Sequence, residues 1–279
     1  MIDLRQSPKY VSYLRSINWK DYVVDGVYLF SKKFPLLGSY AKIQRPEKII
    51  EIEKLSDFAG NKRITVLEIE PKDHKQYLYY KRMGFKSIKQ ISLPSKTIFI
   101  NLKKSKNKLL SEMQSKSRYN IGLSSRKGVS VTTSRDIDTF SSFWQKNANA
   151  RGMFLPHQKM IKNLFNSFGS DSVIFDAYYQ EKMVASLMIV TTPEVAYYMY
   201  AASSKLGKNV FAPSLLVWEG ITWAKKKGLK VFDFEGIYDE RFPIETWKGF
   251  TRFKKGFGGN EVIYPQPLRK IFPKNFFRF

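Results

Sequence analysis

Two short stretches carry most of the chemistry available to this chain: Phe232-Asp233-Phe234-Glu235-Gly236 and Phe253-Lys254-Lys255-Gly256-Phe257-Gly258-Gly259. The first reads as the end of a buried strand, with Val231, Phe232 and Phe234 apolar and Gly228 ending the helix before it. Two carboxylates and a glycine at that end put charge at a sheet edge, where α/β proteins keep their ligand clefts. The second sets two ammonium groups among aromatics, and its glycines let the backbone come close to another group. A lysine there suits an anion or a developing oxyanion. Read as a strand, the segment sends Lys254 and Lys255 to opposite faces, so only one of them looks into a cleft. Glu68, Glu70, Asp233 and Glu235 lie at expected strand ends and are the candidate proton acceptors, with Asp233 serving equally well as a turn cap.

Composition bounds the rest. The 279 residues suffice for one large domain or two small ones, and 43% hydrophobic content excludes a disordered chain. A formal charge of +24 points to a polyanionic partner, whether RNA, nucleotide phosphates or an anionic membrane face. Basic residues dominate on both sides of Lys103, so the charge is no detachable tail. Without cysteine there are no disulfides, thiolate catalysis or Cys-based zinc sites, and His74 and His157 lack metal-ligand spacing. No metal is expected. The start, Met1-Ile2-Asp3-Leu4-Arg5-Gln6, is too polar for a signal peptide, and no apolar run approaches the roughly 20 residues of a membrane span. A cytoplasmic protein is expected, with peripheral contact at the inner membrane face as an option.

Periodicity and breakers predict strands over 27–30, 39–43, 64–69, 85–91 and 97–102, and helices over 46–58 and 77–83. A basic helix over 106–126 follows, then a strand over 129–133 and helices over 137–148 and 156–165. A hairpin over 173–179 and 183–191, a strand over 196–201, a helix over 212–227, and strands over 229–234 and 261–264 complete the chain. The fold class is α/β (α+β), with domains at 1–103 and 104–266 and a basic, aromatic tail at 267–279. A hairpin followed by strand, loop, helix and strand is the order of GNAT-type acyltransferases. The loop Lys205-Leu206-Gly207-Lys208-Asn209 stands where that fold cradles a pyrophosphate. It is poor in glycine, which disfavours coenzyme A. It holds another phosphate or is an ordinary loop.

The order "aromatic-Asp-Phe-x-Gly … Phe-Lys-x-x-Phe-Gly" resembles the carboxy-terminal signature of the FemABX family. Other fragments agree in order: Gln6-Ser7 with Tyr10, Arg15 and Trp19; Arg45-Pro46; Glu70-Pro71; Pro94 to Leu102; Leu109-Leu110 through Arg118, Ile121 and Gly128-Val129; and Tyr197 to Ser203. The resemblance implies two tandem GNAT-like domains, the first reduced, with the substrate held between them. It implies transfer of an amino acid from aminoacyl-tRNA, the co-substrate, to the stem peptide of a peptidoglycan precursor. That precursor is lipid II or UDP-MurNAc-pentapeptide, and the product is an amide branch or bridge. No other cofactor is implied, and a monomer is expected.

By the same resemblance Lys254 stabilises the transition state, Tyr200 contacts the precursor and Arg15 grips its phosphates, with Phe253 on the substrate side. The basic helix region, Lys104, Lys106, Lys108, Lys116 and Arg118, is the expected tRNA face. The chain departs from the family at Gly152-Met153-Phe154-Leu155-Pro156-His157-Gln158-Lys159, where Leu155 replaces a phosphate-gripping arginine and His157 or Lys159 is left to substitute. The coiled-coil arm of some members is absent. Such a pocket disfavours the nucleotide-linked precursor and favours lipid II. Phe272, Phe276, Phe277 and Phe279 interleave with Arg269, Lys270, Lys274 and Arg278, as a foot on an anionic bilayer would, or as a tail packed on the second domain. Two other functions fit the same residues: transfer to a phospholipid or protein acceptor, and a non-catalytic RNA- or membrane-binding relic.

Overall fold

The computed structural model describes residues 1–34, 38–150, 152–154 and 157–273. It opens with helix α1 (Pro8–Ser16), strands β1 (Lys20–Val24), β2 (Val27–Phe34) and β3 (Gly38–Gln44), helix α2 (Ile52–Lys62), strand β4 (Ile64–Glu70), helix α3 (His74–Arg82) and strand β5 (Lys86–Ser87). Strand β6 (Lys96–Asn101) leads to helices α4 (Lys106–Glu112) and α5 (Ser115–Arg126), strand β7 (Ser130–Ser134), and helices α6 (Ile137–Asn149) and α7 (Gln158–Phe168). Strands β8 (Ser172–Tyr179), β9 (Lys182–Thr191) and β10 (Val195–Ser203) follow, then helices α8 (Lys205–Asn209) and α9 (Ala212–Lys226). Strand β11 (Val231–Asp233), helix α10 (Trp247–Lys255) and strands β12 (Asn260–Ile263) and β13 (Leu268–Ile271) end the chain.

These elements form two units. One comprises Met1–Lys96, Asp239–Pro243 and the residues from Ile263 onward; the other comprises Thr97–Tyr238 and Ile244–Val262. The first unit has a six-stranded sheet, β1-β2-β3-β4-β13-β5. Leu29, Ala41, Ile43, Leu67 and Ile69 from its strands bury against Leu55, Phe58 and Ala59 of α2 and Tyr80 of α3. The second has a seven-stranded sheet, β12-β6-β11-β10-β9-β8-β7. Its core sets Leu187, Ile189, Ala196 and Phe232 against Leu216, Ile221 and Ala224 of α9. The same motif occurs in both: a hairpin (β2-β3, β9-β10), a crossover helix (α2, α9) and a strand parallel to the second hairpin strand (β4, β11). This is a tandem GNAT-like architecture.

Several sequence expectations are corrected. The helix expected from Pro46 begins only at Ile52. Gln76 Nε2 donates to Pro46 O at 2.8 Å, and the Tyr80 and Tyr79 hydroxyls accept from the N–H groups of Ile50 and Ile52 at 2.9 and 3.2 Å. Those side chains take the backbone groups a first helical turn would use. The strand expected over 85–91 shrinks to Lys86–Ser87. The basic helix over 106–126 is two helices, broken where Met113 takes extended backbone (ψ 154°). The Phe253–Gly259 segment is not a strand: Lys254 and Lys255 end helix α10. Helix α1, strand β1 and strand β13 were not expected.

The domain limits also move. Strand β6 pairs Asn101 with Val231 and Phe99 with Asp233, so the boundary falls after Lys96 rather than after Lys103. The segment from 267 is no free tail as far as Pro273. Strand β13 lies between β4 and β5 in the first unit's sheet. Leu268 and Phe272 are buried, and Arg269 Nε donates to Glu68 Oε1 at 2.8 Å. Arg269 and Lys270 are therefore residues of the first unit's sheet and Phe272 is buried in its core, whereas the membrane foot was expected to use them as a free tail; Lys274, Phe276, Phe277, Arg278 and Phe279 lie outside the described residues. No helix among the described residues is long and apolar enough to cross a membrane.

Candidate active site

Strands β10 and β11 run parallel only over Val195–Tyr197 and Val231–Asp233. Beyond that point they part: β11 ends, while β10 continues beside β9 with a bulge between Tyr198 and Tyr200. A bulge re-aims the side chains around it. The carboxyl ends of parallel strands are where open α/β sheets bind ligands.

The turn after β11 is tightly specified. Asp233 Oδ1 accepts from Thr97 Oγ1 at 2.5 Å and from Glu235 N at 2.8 Å. Glu235 is left-handed (φ 54°) and Gly236 has φ 115°. Lys254 rises into this turn from α10, and its Nζ donates to Phe234 O and Gly236 O, each at 2.7 Å. The Tyr198 and Phe250 rings lie 5.0 and 4.8 Å from the ammonium. The side chain is buried, and burial pushes the Lys254 pKa down to about 8, with Glu235 and then Asp233 pulling it back up.

Lys255 points away and pairs with Glu261 at 2.6 Å. The expectation that only one of the two turns inward holds on a helix as on a strand, since residues one apart also diverge there, and the buried one is Lys254. Asp233 is the turn's cap, buried and doubly bonded, rather than an open proton acceptor. Phe253, half-buried, packs edge-on against Phe257 at 5.2 Å and against the second unit's core. Gly259 has φ 88°, and a Cβ there would stand 2.6 Å from Phe99 O. This glycine answers a close approach of the chain to itself, not to a ligand. In the same way, a Cβ on Gly207 would meet Val184 O at 2.2 Å. The Lys205–Asn209 loop is the one-turn helix α8 packed on β9, capped by Ser204 Oγ on Gly207 N at 3.0 Å. The phosphate-cradle reading of that loop finds no support in this packing.

Tyr200 packs edge-on against Trp144 at 5.6 Å, and Trp144 meets His157 at 5.4 Å. Beside them, between α6 and α7, is an open cavity of about 770 Å³ lined by Gln145, Asn149, Phe154, Lys159, Lys162 and other residues. Lys159 thus faces a cavity, while Lys162 is held by Asp138 at 2.5 Å. Leu155, where the family's arginine was expected, is outside the described residues.

In the first unit, Arg15 is exposed and forks onto Asp21 with contacts of 2.6 and 2.7 Å. A phosphate would have to displace that carboxylate. Glu70 Oε1 accepts from Ser92 N, Ser92 Oγ and Leu93 N at 2.7–2.9 Å, so it organises a loop. Glu68 accepts from the Tyr40 hydroxyl at 2.5 Å and from Arg269. Of the expected tRNA residues, Lys104 grips both oxygens of Glu112 at 2.7 Å, and Lys108 lies 3.8 Å from the same carboxylate. Arg118 donates to Leu110, Ser111 and Met113 carbonyls, capping α4. Lys106, over the Trp218 ring at 5.7 Å, and Lys116 are exposed and make no ion pair with an acid among the described residues.

Tyr198, Phe250 and Thr97 were missed. The signal for the last two was present: Phe250 stands four residues before Lys254, which is a helical spacing, and Thr97 opens the strand expected over 97–102.

The buried lysine has a consequence for stability. The unfolded chain holds the Lys254 proton up to pH 10.5 and the folded protein only to about 8. Between those values the unfolded chain binds more protons, so stability rises with pH, by up to about 3 kcal/mol from this group. Lys42, pushed down to about 8 by burial, acts in the same direction. Urea denaturation between pH 7.5 and 10 should therefore show a rise that Lys254→Met reduces but does not abolish. An identical rise in the variant would show that Lys254 ionises freely in the folded state.

Comparisons with known proteins follow this geometry. The FemAB family model matches residues 172–264, one third of the chain. A search of curated proteins by sequence returns no match. Among solved structures, the crystal structure of FemX superposes with a TM-score of 0.82 at 16% identity, over 97% of this chain and 92% of that one. The C-terminal domain of an Agrobacterium fabrum protein assigned as a lysylphosphatidylglycerol synthetase gives 0.63 at 13%, over 98% and 90%. A tandem GNAT protein from the clavulanic acid biosynthesis pathway gives 0.54 at 9%, over 91% and 83%. At such identities the likeness is one of fold. The matched segment holds β8 to β12, with Asp233, Glu235 and Lys254 in it; over residues 172–264 the chain matches the FemAB family model, and its tandem GNAT-like fold is similar to that of FemX over 97% of its length.

Proposed function

We propose that this chain is an aminoacyltransferase that moves an amino acid from aminoacyl-tRNA to the stem-peptide amine of a peptidoglycan precursor, forming an amide. The observation that carries this reading is Lys254: a buried ammonium at the parting of β10 and β11, inside the FemAB segment. Converting an ester to an amide is downhill, so the protein has chiefly to orient the amine and stabilise a tetrahedral oxyanion. Two of the three Lys254 donors hold the turn, and the third is left for that oxyanion. The low-dielectric surroundings strengthen such a bond.

Incubating the protein with charged tRNA and either lipid II or UDP-MurNAc-pentapeptide should add one aminoacyl mass to the stem peptide. No mass gain on either acceptor would remove this reading. Arg269, Lys270 and Phe272 belong to the first unit, while Leu155 and residues 274–279 lie outside the described residues, so both acceptors are assayed. The likeness to a domain assigned as a lysylphosphatidylglycerol synthetase favours one second reading, transfer to a phospholipid head group, and phosphatidylglycerol vesicles are its assay.

Binding of charged tRNA should weaken by roughly tenfold to a hundredfold between 50 and 200 mM salt if a few phosphates are contacted, because each contact releases counterions. Lys106→Glu with Lys116→Glu should flatten that dependence. Equal salt slopes in the variant and the parent would exclude this surface as the RNA site.

A further inference from the structure

Lys254 is held without a counter-ion in contact. Its Nζ donates to two carbonyl oxygens, Phe234 O and Gly236 O, each at 2.7 Å, and lies over two ring faces, Tyr198 at 5.0 Å and Phe250 at 4.8 Å. The residue is only 7% exposed, yet it forms no ion pair with an acid among the described residues. An ammonium taken out of water to that depth needs negative potential around it, or it gives up its proton. Carbonyl dipoles and aromatic faces supply such potential while carrying no net charge. The difference matters where an oxyanion must be met. A contacting carboxylate would neutralise the ammonium and repel the oxyanion, whereas dipoles and rings leave its whole charge to be felt. Both rings are fixed by other rings. Tyr198, the last paired β10 residue before the bulge, leans on the fully buried Phe234 at 5.7 Å. Phe250 stands one turn before Lys254 on α10 and packs on Trp247 at 5.3 Å.

We propose that Tyr198 and Phe250 are positioning residues for the transfer reaction: their ring faces hold Lys254 as an ammonium inside the protein, in the place a counter-ion would otherwise take. The inference rests on the aminoacyl-transfer reading. Negative charge gathers on the ester carbonyl oxygen as the amine nitrogen adds to its carbon, and leaves when the bond to the ribose oxygen breaks. Only the ammonium form of Lys254 can hold both carbonyls and still offer a third N–H to that oxygen. The rings act through the lysine and need touch no substrate.

The ionisable groups facing Lys254 are few. From the turn after β11 come Glu235 and Asp233, which act on it through space; Asp233 is engaged by Thr97 Oγ1 of β6 and by Glu235 N. On α10, Arg252 is exposed and Lys255 is paired with Glu261. From β10 comes the Tyr198 hydroxyl, which Tyr198→Phe removes while keeping the ring. A ring substitution leaves the four charged groups in place, so a change in the titration of Lys254 reports on the ring.

The test is an NMR titration of the Lys254 side-chain nitrogen in the full chain, with steady-state kinetics across pH. It compares the parent, Tyr198→Phe, Tyr198→Leu, Phe250→Leu, and chains carrying a fluorinated phenylalanine in place of Tyr198 or of Phe250. Fluorine withdraws charge from the ring face and keeps the ring's shape. A desolvated cation–π contact corresponds to roughly half a unit to one and a half units of pKa. Each leucine variant and each fluorinated chain should therefore lower the Lys254 midpoint from about 8, by roughly half a unit or more, while Tyr198→Phe leaves it in place. The alkaline limb of kcat should move down with the midpoint, a loss of roughly twofold to fivefold at pH 8, with KM little changed. A ring that only excluded water would act the other way, since its loss admits water and raises the midpoint towards that of a free lysine. The fluorinated chains keep the packing and decide the matter where a leucine variant fails to fold or takes in water. A midpoint that stays or rises in them overturns the proposal. The titration needs no substrate: if the parent transfers nothing from charged tRNA, the functional reading falls and the catalytic role with it, while the midpoint still decides whether the rings hold the charge.

Discussion

Lys254→Ala should transfer amino acids at least about a hundredfold more slowly than the parent, the usual cost of losing an oxyanion donor. The loss should exceed that of a donor alone, because Phe234 O and Gly236 O then lose their partner and the turn carrying Glu235 is no longer held. Lys255→Ala removes an outward ion pair with Glu261 and should keep most of the activity. An exposed pair of this kind contributes about 1 kcal/mol or less. Single-turnover rates with charged tRNA separate the two variants without ambiguity from product release. Equal rates would mean that burial of Lys254 serves the fold alone.

Ending the chain at Gln266 should unfold the first unit rather than detach it from a surface. The cut removes β13 from between β4 and β5, with Leu268 and Phe272 from the core and Arg269 from Glu68. Losing one large buried side chain costs about 2–5 kcal/mol, and a whole domain holds only about 5–15 kcal/mol. The strand's hydrogen bonds go as well. Thermal melting should therefore drop by more than about 10 °C, or the protein should not accumulate in folded form. A truncated chain that melts like the parent and fails only on lipid vesicles would reinstate the membrane foot.

Much of the second unit was legible before its structure. The hairpin over 172–191, the strand through Tyr197 to Ala201 and the long helix after Ala212 are written in local apolar periodicity, bounded by turn residues, and they fall within a residue or two of expectation. That only one of Lys254 and Lys255 turns inward was legible for a related reason, since neighbouring residues diverge on a helix as on a strand; which of the two came from the resemblance alone. Other readings failed where distant residues decide. The group that Gly259 approaches was not legible: it is the carbonyl of Phe99, 160 positions earlier in the chain. Arg118 and Lys104 looked like free cations until helix α4 brought its carbonyls and Glu112 to them.

By itself the sequence determined the alternation of strands and helices, the excess of positive charge and the identity of the ionisable groups near the end of β11. These follow from residue type and short-range spacing, which the chain carries wherever it folds. Only the tertiary structure decided what those groups are free to do. It buried the Lys254 ammonium among rings and gave two of its donors to a turn. It tied Asp233 to Thr97, left Glu235 half-buried, and drew 268–271 between two strands of a sheet. The reason is physical: the pKa of a group and the availability of its donors are set by burial and by partners far apart in sequence, and no local pattern encodes either.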